Sequence, residues 1–160
     1  MKVNESVLAY MADTKAENDV ILAALAILEK RMSRDMQALE SPHDVHNYLC
    51  LKLGAEKREV FAVLYLNTRH AVIAFETPFA GTLTRTSVYP REIIKRALEL
   101  NACSVVFSHN HPSGKPWPSP ADEHLTQTLK AGLALVDVRV LDHIVVVGAL
   151  SFSFAERGLL

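Results

Sequence analysis

The chain lacks what would mark a nucleic-acid or membrane protein. Its 17 basic and 18 acidic residues nearly cancel and form no block of one sign. There is no electrostatic footprint for a polyanion, so any DNA affinity is expected to be weak, without sequence preference and sensitive to salt. The longest apolar stretch, residues 20–28, is far shorter than the roughly 20 residues a bilayer-spanning helix needs. Cysteine is scarce: Cys50 and Cys103 stand far apart in apolar surroundings. With no signal peptide evident, the expectation is reduced thiols in a cytoplasmic protein rather than a disulfide. Repeats and low-complexity segments are absent too.

What the chain does have is apolar residues, 49% of its 160, enough for one substantial core. It also has one stretch of concentrated chemistry, Ser108-His109-Asn110-His111-Pro112-Ser113-Gly114-Lys115-Pro116-Trp117-Pro118-Ser119-Pro120-Ala121-Asp122. Residues 103–107 before it are short and rich in β-branched side chains, the pattern of a buried strand that delivers His109 and His111 at its end. Positions i and i+2 of a strand share a face, so the two imidazoles can converge on one ion, and the Pro/Gly-rich loop then turns the chain sharply. Ser119-Pro120 with Asp122 reads as a helix start: serine as N-cap, proline at the first helical position, an acid in the first turn. Side chains in a helix lean toward its N-terminus, so Asp122 aims back at the histidines. Three protein ligands leave the fourth position of a tetrahedral zinc open, the arrangement of catalytic rather than structural sites. The plainer reading of Asp122 is a capping-box acid, and that reading explains the same spacing.

Other histidine-rich and glycine-rich motifs fit less well. A His-x-His-x-Asp-His metal motif requires aspartate where Ser113 stands, and an amidohydrolase barrel needs about 250 residues. A phosphate loop requires glycine at His109 and Ser or Thr at Pro116.

His109-Asn110-His111-Pro112 followed by Ser119-Pro120-Ala121-Asp122 resembles the His-x-His-Pro…Ser-x-x-Asp signature of JAMM (MPN+) metalloproteases. His-Asn-His-Pro-Ser-Gly resembles their bacterial RadC branch. The likeness runs from about Ser41 to the C-terminus and takes in Arg58-Glu59-Val60-Phe61, Gly81-Thr82-Leu83 and Ser87-Val88-Tyr89-Pro90-Arg91-Glu92. It implies a zinc held by His109, His111 and Asp122, a glutamate acid/base that falls on Glu59, and Ser119 assisting the oxyanion. By itself Glu59 reads as an ordinary strand-end charge, and Glu56 and Glu76 stay open as substitutes. RadC-like proteins carry helix-hairpin-helix DNA-binding segments upstream, whose turns need glycine. No glycine precedes Gly54 here, which sets the DNA role apart from the metal site.

The rest of the chain supplies a frame. Residues 1–12 carry few structural signals. From Asp13 or Thr14 to about Met36, Val20, Ala23, Ala24, Ile27 and Leu28 recur at helical spacing. Their apolar stripe can cover the protein's own core or pair with a second copy, making the N-terminal helix a candidate homodimer contact. Ser41-Pro42 opens a second helix that Gly54 closes; its His43 and His46 read as a solvated face. A strand at residues 60–66, a turn over Asn67-Thr68-Arg69-His70 and a strand from Ala71 toward Thr77 make a hairpin. Residues 81–87, with alternating threonines, read as a short exposed strand. Pro90 starts a helix ended by Asn101 in a left-handed turn, and the helix after Asp122 runs through Leu125, Leu129 and Leu133. Residues 135–148 supply one or two strands, interrupted at Asp137 or Asp142, and residues 150–154 a last one. Asp142-His143 invites comparison with a carboxylate–histidine pair behind a metal, although a satisfied interior histidine is the simpler reading. Trp117 either walls a substrate site or covers the loop.

These readings converge on an α/β fold, a single mixed β-sheet flanked by helices. The resemblance makes it JAB/MPN-like, a cytidine-deaminase-like architecture, with residues 1–40 as tail and helix and residues 41–160 as the metalloprotease domain. The expected function is zinc-dependent hydrolysis of a peptide or isopeptide amide in a peptide or protein substrate, with no membrane partner. The alternative is a RadC-like accessory module in DNA repair or recombination without significant peptidase activity.

Overall fold

The computed structural model describes residues 5–35, 41–81 and 88–160. Seven consecutive apolar residues without polar alternation suit a strand covered on both faces, and all seven residues of β1 (Val60–Leu66) are buried. β2 (Val72–Ala80) and β3 (Ser104–Asn110) flank it, both antiparallel to it. β4 (Arg139–Val147) runs parallel to β3, and β5 (Leu150–Ser153) pairs antiparallel with β4. The result is one mixed sheet in the order β2-β1-β3-β4-β5. β2 lies at an edge, where the missing N–H of Pro78 costs no central ladder bond.

Among the described residues there are also four helices: α1 (Glu5–Asp35), α2 (Pro42–Leu53), α3 (Pro90–Glu99) and α4 (Pro120–Ala134). The two-residue period of the strands sorts their side chains onto two cores. Ala62, Leu64, Leu66, Val106, Ile144 and Val146 pack with Leu25 of α1 and with Tyr48, Leu49 and Leu53 of α2. Phe61, Val63, Tyr65, Val105 and Phe107 pack with Ile93 and Ala97 of α3 and Leu129 and Leu133 of α4. α1 therefore turns Leu25 toward the protein's own core, while Val20, Leu22 and Ile27 stay exposed.

Several boundaries differ from the sequence reading. α1 starts at Glu5, a full two turns before the expected Asp13, because the segment from Glu5 to Ala12 contains neither proline nor glycine to stop a helix. The expected strand at residues 81–87 lies, but for Gly81, outside the described residues. Residues 135–148 supply a single strand, Arg139–Val147. Asp137 takes φ 58° in the turn before it, and the register shift between β3 and β4 falls beside Leu141 and leaves Asp142 paired with Val106. His46 is half-buried and joined through Nδ1 to Ser151 Oγ at 3.0 Å, so of the two only His43 is exposed. Asn101 does end α3 in the left-handed region, at φ 50°.

Gly54 follows α2 as expected but for another reason: its φ is −64°, an ordinary right-handed value. Its lack of a side chain is a matter of space, since a Cβ there would run into the backbone carbonyl of Gly148 and come within 2.5 Å of that of Cys50. Gly54→Ala is therefore expected to destabilise the fold by about 1–3 kcal/mol, the range for overpacking against parts that cannot yield. Urea unfolding measures this, and an unchanged midpoint would mean that α2 and the β4–β5 turn do not meet as described.

Candidate metal centre

The site forms where β3 ends and α4 begins, at the carboxyl end of the one parallel strand pair among the described residues. That is the usual position for a site in an α/β sheet. His109 is the penultimate residue of β3, with its side chain on the α3/α4 face, and is 2% exposed. Phe61, opposite it on β1, stacks near-parallel to its ring, with centroids 6.5 Å apart. His111 lies just past the strand, its N–H bonded to the Val146 carbonyl. The chain then turns through Gly114 at φ 78°, and the loop brings the Lys115 carbonyl to 2.7 Å from His111 Nδ1. A carbonyl can only accept, so Nδ1 carries the proton and Nε2 is the nitrogen left for a ligand role.

Asp122 is set by a capping box. The Ser119 hydroxyl accepts from Asp122 N at 3.2 Å, and both Ser119 N–H and Ser119 O–H donate to Asp122 Oδ2 at 2.7 Å. The capping role and the site role are thus one arrangement. With Oδ2 so held, Asp122 Oδ1 stands 3.5 Å from His109 Nε2 and Oδ2 stands 3.5 Å from His111 Nε2, with 2.9 Å between the two nitrogens. One ligand atom from each residue lies within 4.8 Å of the others, a group that could hold a metal ion. Two imidazoles and a carboxylate with nitrogen and oxygen donors suit zinc. Burial alone would raise the Asp122 carboxyl, but the adjoining His109 and His111 rings outweigh it and hold the group well below the usual carboxylate range. The Asp122 carboxylate in turn raises His111 above the ordinary imidazole value, with a smaller contribution from Glu59.

Behind His109 lies His143 of β4, wholly buried. Its Nε2 is 2.8 Å from His109 Nδ1 and its Nδ1 is 2.6 Å from Thr126 Oγ1. Phe154 stacks on one face of its ring at a centroid distance of 4.7 Å. Burial pushes His143 well below its ordinary pKa and keeps it neutral. Asp142 does not touch that ring. Its carboxylate accepts from the backbone N–H of His143 and of Ala155 and from the Ser153 hydroxyl.

A family model, the RadC-like JAB domain, matches residues 39–159. The chain belongs to the RadC-like JAB domain family. The chain is 57% identical over 139 residues to a UPF0758 protein of Leptothrix cholodnii, which covers 87% of this chain and 62% of that protein. It is 52% identical over 148 residues to a UPF0758 protein of Polaromonas sp., covering 91% and 66%. A UPF0758 protein of Methylibium petroleiphilum is 61% identical over 121 residues, covering 76% and 54%. The chain thus spans just under two thirds, or less, of the length of these relatives.

In this RadC-like domain the sequence-derived trio of His109, His111 and Asp122 comes together as one cluster. Glu59 is half-buried immediately before β1. Since Phe61 pairs with His109, continuing the antiparallel register by two residues sets Glu59 opposite His111. Glu76 is turned away into a bidentate pair with Arg96 at 2.6–3.1 Å, and Glu56 is exposed. Trp117 leans on Phe152 with centroids 5.5 Å apart and stays 63% exposed. Sequence reasoning missed Thr126 and Asn110. Thr126 was findable, being one helical turn after Asp122 on the same face. Asn110 faces away from the ligands: its Oδ1 accepts from Val60 N at 2.8 Å, and its Nδ2 donates to the Arg58 and Glu56 carbonyls at 2.9 and 3.1 Å. It clamps the segment that carries Glu59.

A metal ion such as zinc, if held here, would have to displace the proton that His111 holds more tightly than a free imidazole does. Because the shift is upward, protonation competes already above the ordinary value of about 6.5. Zinc affinity is therefore expected to fall about tenfold per unit of falling pH in that region, and Asp122→Ala to weaken it at every pH. Calorimetric titration at pH 8 and pH 6 tests both; an affinity indifferent to pH and to Asp122 would remove the cluster as a metal centre.

Proposed function

We propose that this protein is a zinc-dependent hydrolase of the JAMM type, cleaving a peptide or isopeptide amide in a peptide or protein substrate within the cytoplasm. The observation that carries the reading is the convergence of His109 Nε2, His111 Nε2 and the Asp122 carboxylate at the end of β3. A zinc ion held by these three residues would supply Lewis acidity and bring the pKa of a water molecule down toward about 7.

All three donors are committed to the ion, so a fourth group must move protons. Glu59 is that group. Its carboxylate takes a proton from the attacking water and returns it to the leaving amine, a task that suits a half-buried acid held by a rigid neighbour. Asn110 supplies the rigidity by binding the backbone on both sides of Glu59, at Arg58 and Val60. Ser119 serves the oxyanion if its hydroxyl leaves Asp122 Oδ2; the Ser119 N–H continues to hold that oxygen when it does.

Glu59→Gln keeps the shape of the side chain and removes its basicity. Zinc should stay bound while amide hydrolysis falls by about 10²- to 10⁴-fold. Zinc titration paired with peptidase kinetics on both proteins decides the matter. Full activity in the variant would reject Glu59 as the base, and loss of zinc would make it a ligand instead.

A further inference from the structure

His143 and Thr126 are fully buried, and they end a chain of three short contacts that begins at a ligand ring. His109 Nδ1 meets His143 Nε2 at 2.8 Å, His143 Nδ1 meets Thr126 Oγ1 at 2.6 Å, and Thr126 Oγ1 meets the Asp122 carbonyl at 2.6 Å. With both rings neutral, three protons serve three contacts: one on each imidazole and one on the hydroxyl. The carbonyl has no proton to give, so the hydroxyl proton must occupy the last contact. Thr126 then has only lone pairs for His143, which donates from Nδ1 and presents a bare Nε2. That nitrogen accepts the proton of His109 Nδ1. Every contact is filled in this arrangement alone, and it leaves His109 Nε2 with its lone pair facing His111 and Asp122.

We infer that Thr126 and His143 are positioning residues that fix the tautomer of His109, so that Nε2 is presented to the cation. The helical carbonyl of one ligand residue, Asp122, thereby sets the proton of another, His109. A carboxylate or carbonyl usually takes the other nitrogen of a metal-bound imidazole. Here a second histidine stands in that place, and it needs a partner of its own because an imidazole can give or accept at either nitrogen. The functional weight of this inference rests on the zinc reading, whereas the proton arrangement can be read without metal.

Thr126→Val keeps the shape but removes the acceptor for His143 Nδ1–H. The favourable response is for His143 to move its proton to Nε2 and donate to His109, which pushes the His109 proton onto Nε2, where the metal would bind. Thr126→Ser restores the hydroxyl. Long-range 15N–1H correlation spectra of the metal-free 160-residue chain should show the Nδ1–H form of His109 in the wild type and Thr126→Ser, and the Nε2–H form in Thr126→Val. Zinc affinity should drop about 10- to 100-fold in Thr126→Val and recover in Thr126→Ser. His143→Phe, which preserves aromatic packing against Phe154, should lose affinity to a similar degree, with folding checked by circular dichroism. An Nε2–H form of His109 in the wild type would overturn the inference whether or not zinc binds. So would a Thr126→Val protein with unchanged tautomer and unchanged zinc affinity. A wild type that shows the Nδ1–H form but takes up no zinc would support the proton arrangement and reject the zinc reading.

Discussion

Two ligand-competent imidazole nitrogens 2.9 Å apart, each 3.5 Å from a carboxylate oxygen, are the arrangement on which the rest of this molecule depends. Left without a positive charge between them, two lone pairs at that distance repel; a proton or a metal ion makes them attractive. Holding them there takes bonds on the far side of each ring. His111 is held by a loop carbonyl and His109 by a buried histidine. Asp122 is held by the serine that starts its own helix.

This places a polar network inside an apolar core, a costly choice unless each member is paired. Leaving one buried donor or acceptor unmet costs about 1–3 kcal/mol. Here Ser108, His109, Asn110, Thr126 and His143 are all buried and all hydrogen-bonded. The two buried side-chain oxygens without a hydrogen-bond partner among the described residues, Tyr65 Oη and Ser104 Oγ, belong to the opposite end of β1 and β3. Saturation is thus concentrated where the chemistry is. The apolar residues around it, Phe61, Phe107 and Phe154, exclude water from His143 and pack its ring on several sides.

The sheet makes this economical in residues. β3 alternates its side chains, so His109 joins the ligands while Asn110 turns to the other face and ties down the segment before β1. One dipeptide therefore supplies a candidate metal ligand and clamps the segment before β1 that carries Glu59. The parallel pairing of β3 with β4 sets His143 level with Phe107, close enough to reach His109 from behind.

Much of this was determined by local sequence. Ser119-Pro120 and Ser41-Pro42 open helices because a capping oxygen and a fixed φ act within one turn. β1 is buried on both faces because no polar residue interrupts it, and the His109, His111 and Asp122 trio follows from a two-residue and a one-turn periodicity. What only tertiary structure decided involves partners outside the same element, from 11 to 34 residues apart in the hydrogen bonds of Asp142 and His143. His143 read more simply as a satisfied interior histidine than as the partner of adjacent Asp142, and the structure agrees: adjacent residues of a strand face opposite ways and the carboxylate went to Ser153 and Ala155. The ring met His109, 34 residues earlier, and Thr126, 17 residues earlier. Gly54 read as the residue that closes its helix, while its actual constraint is the carbonyl of Gly148, across the fold. Local periodicity fixes which face a residue takes; register and crossover fix what waits on that face, and those depend on how the whole sheet closes.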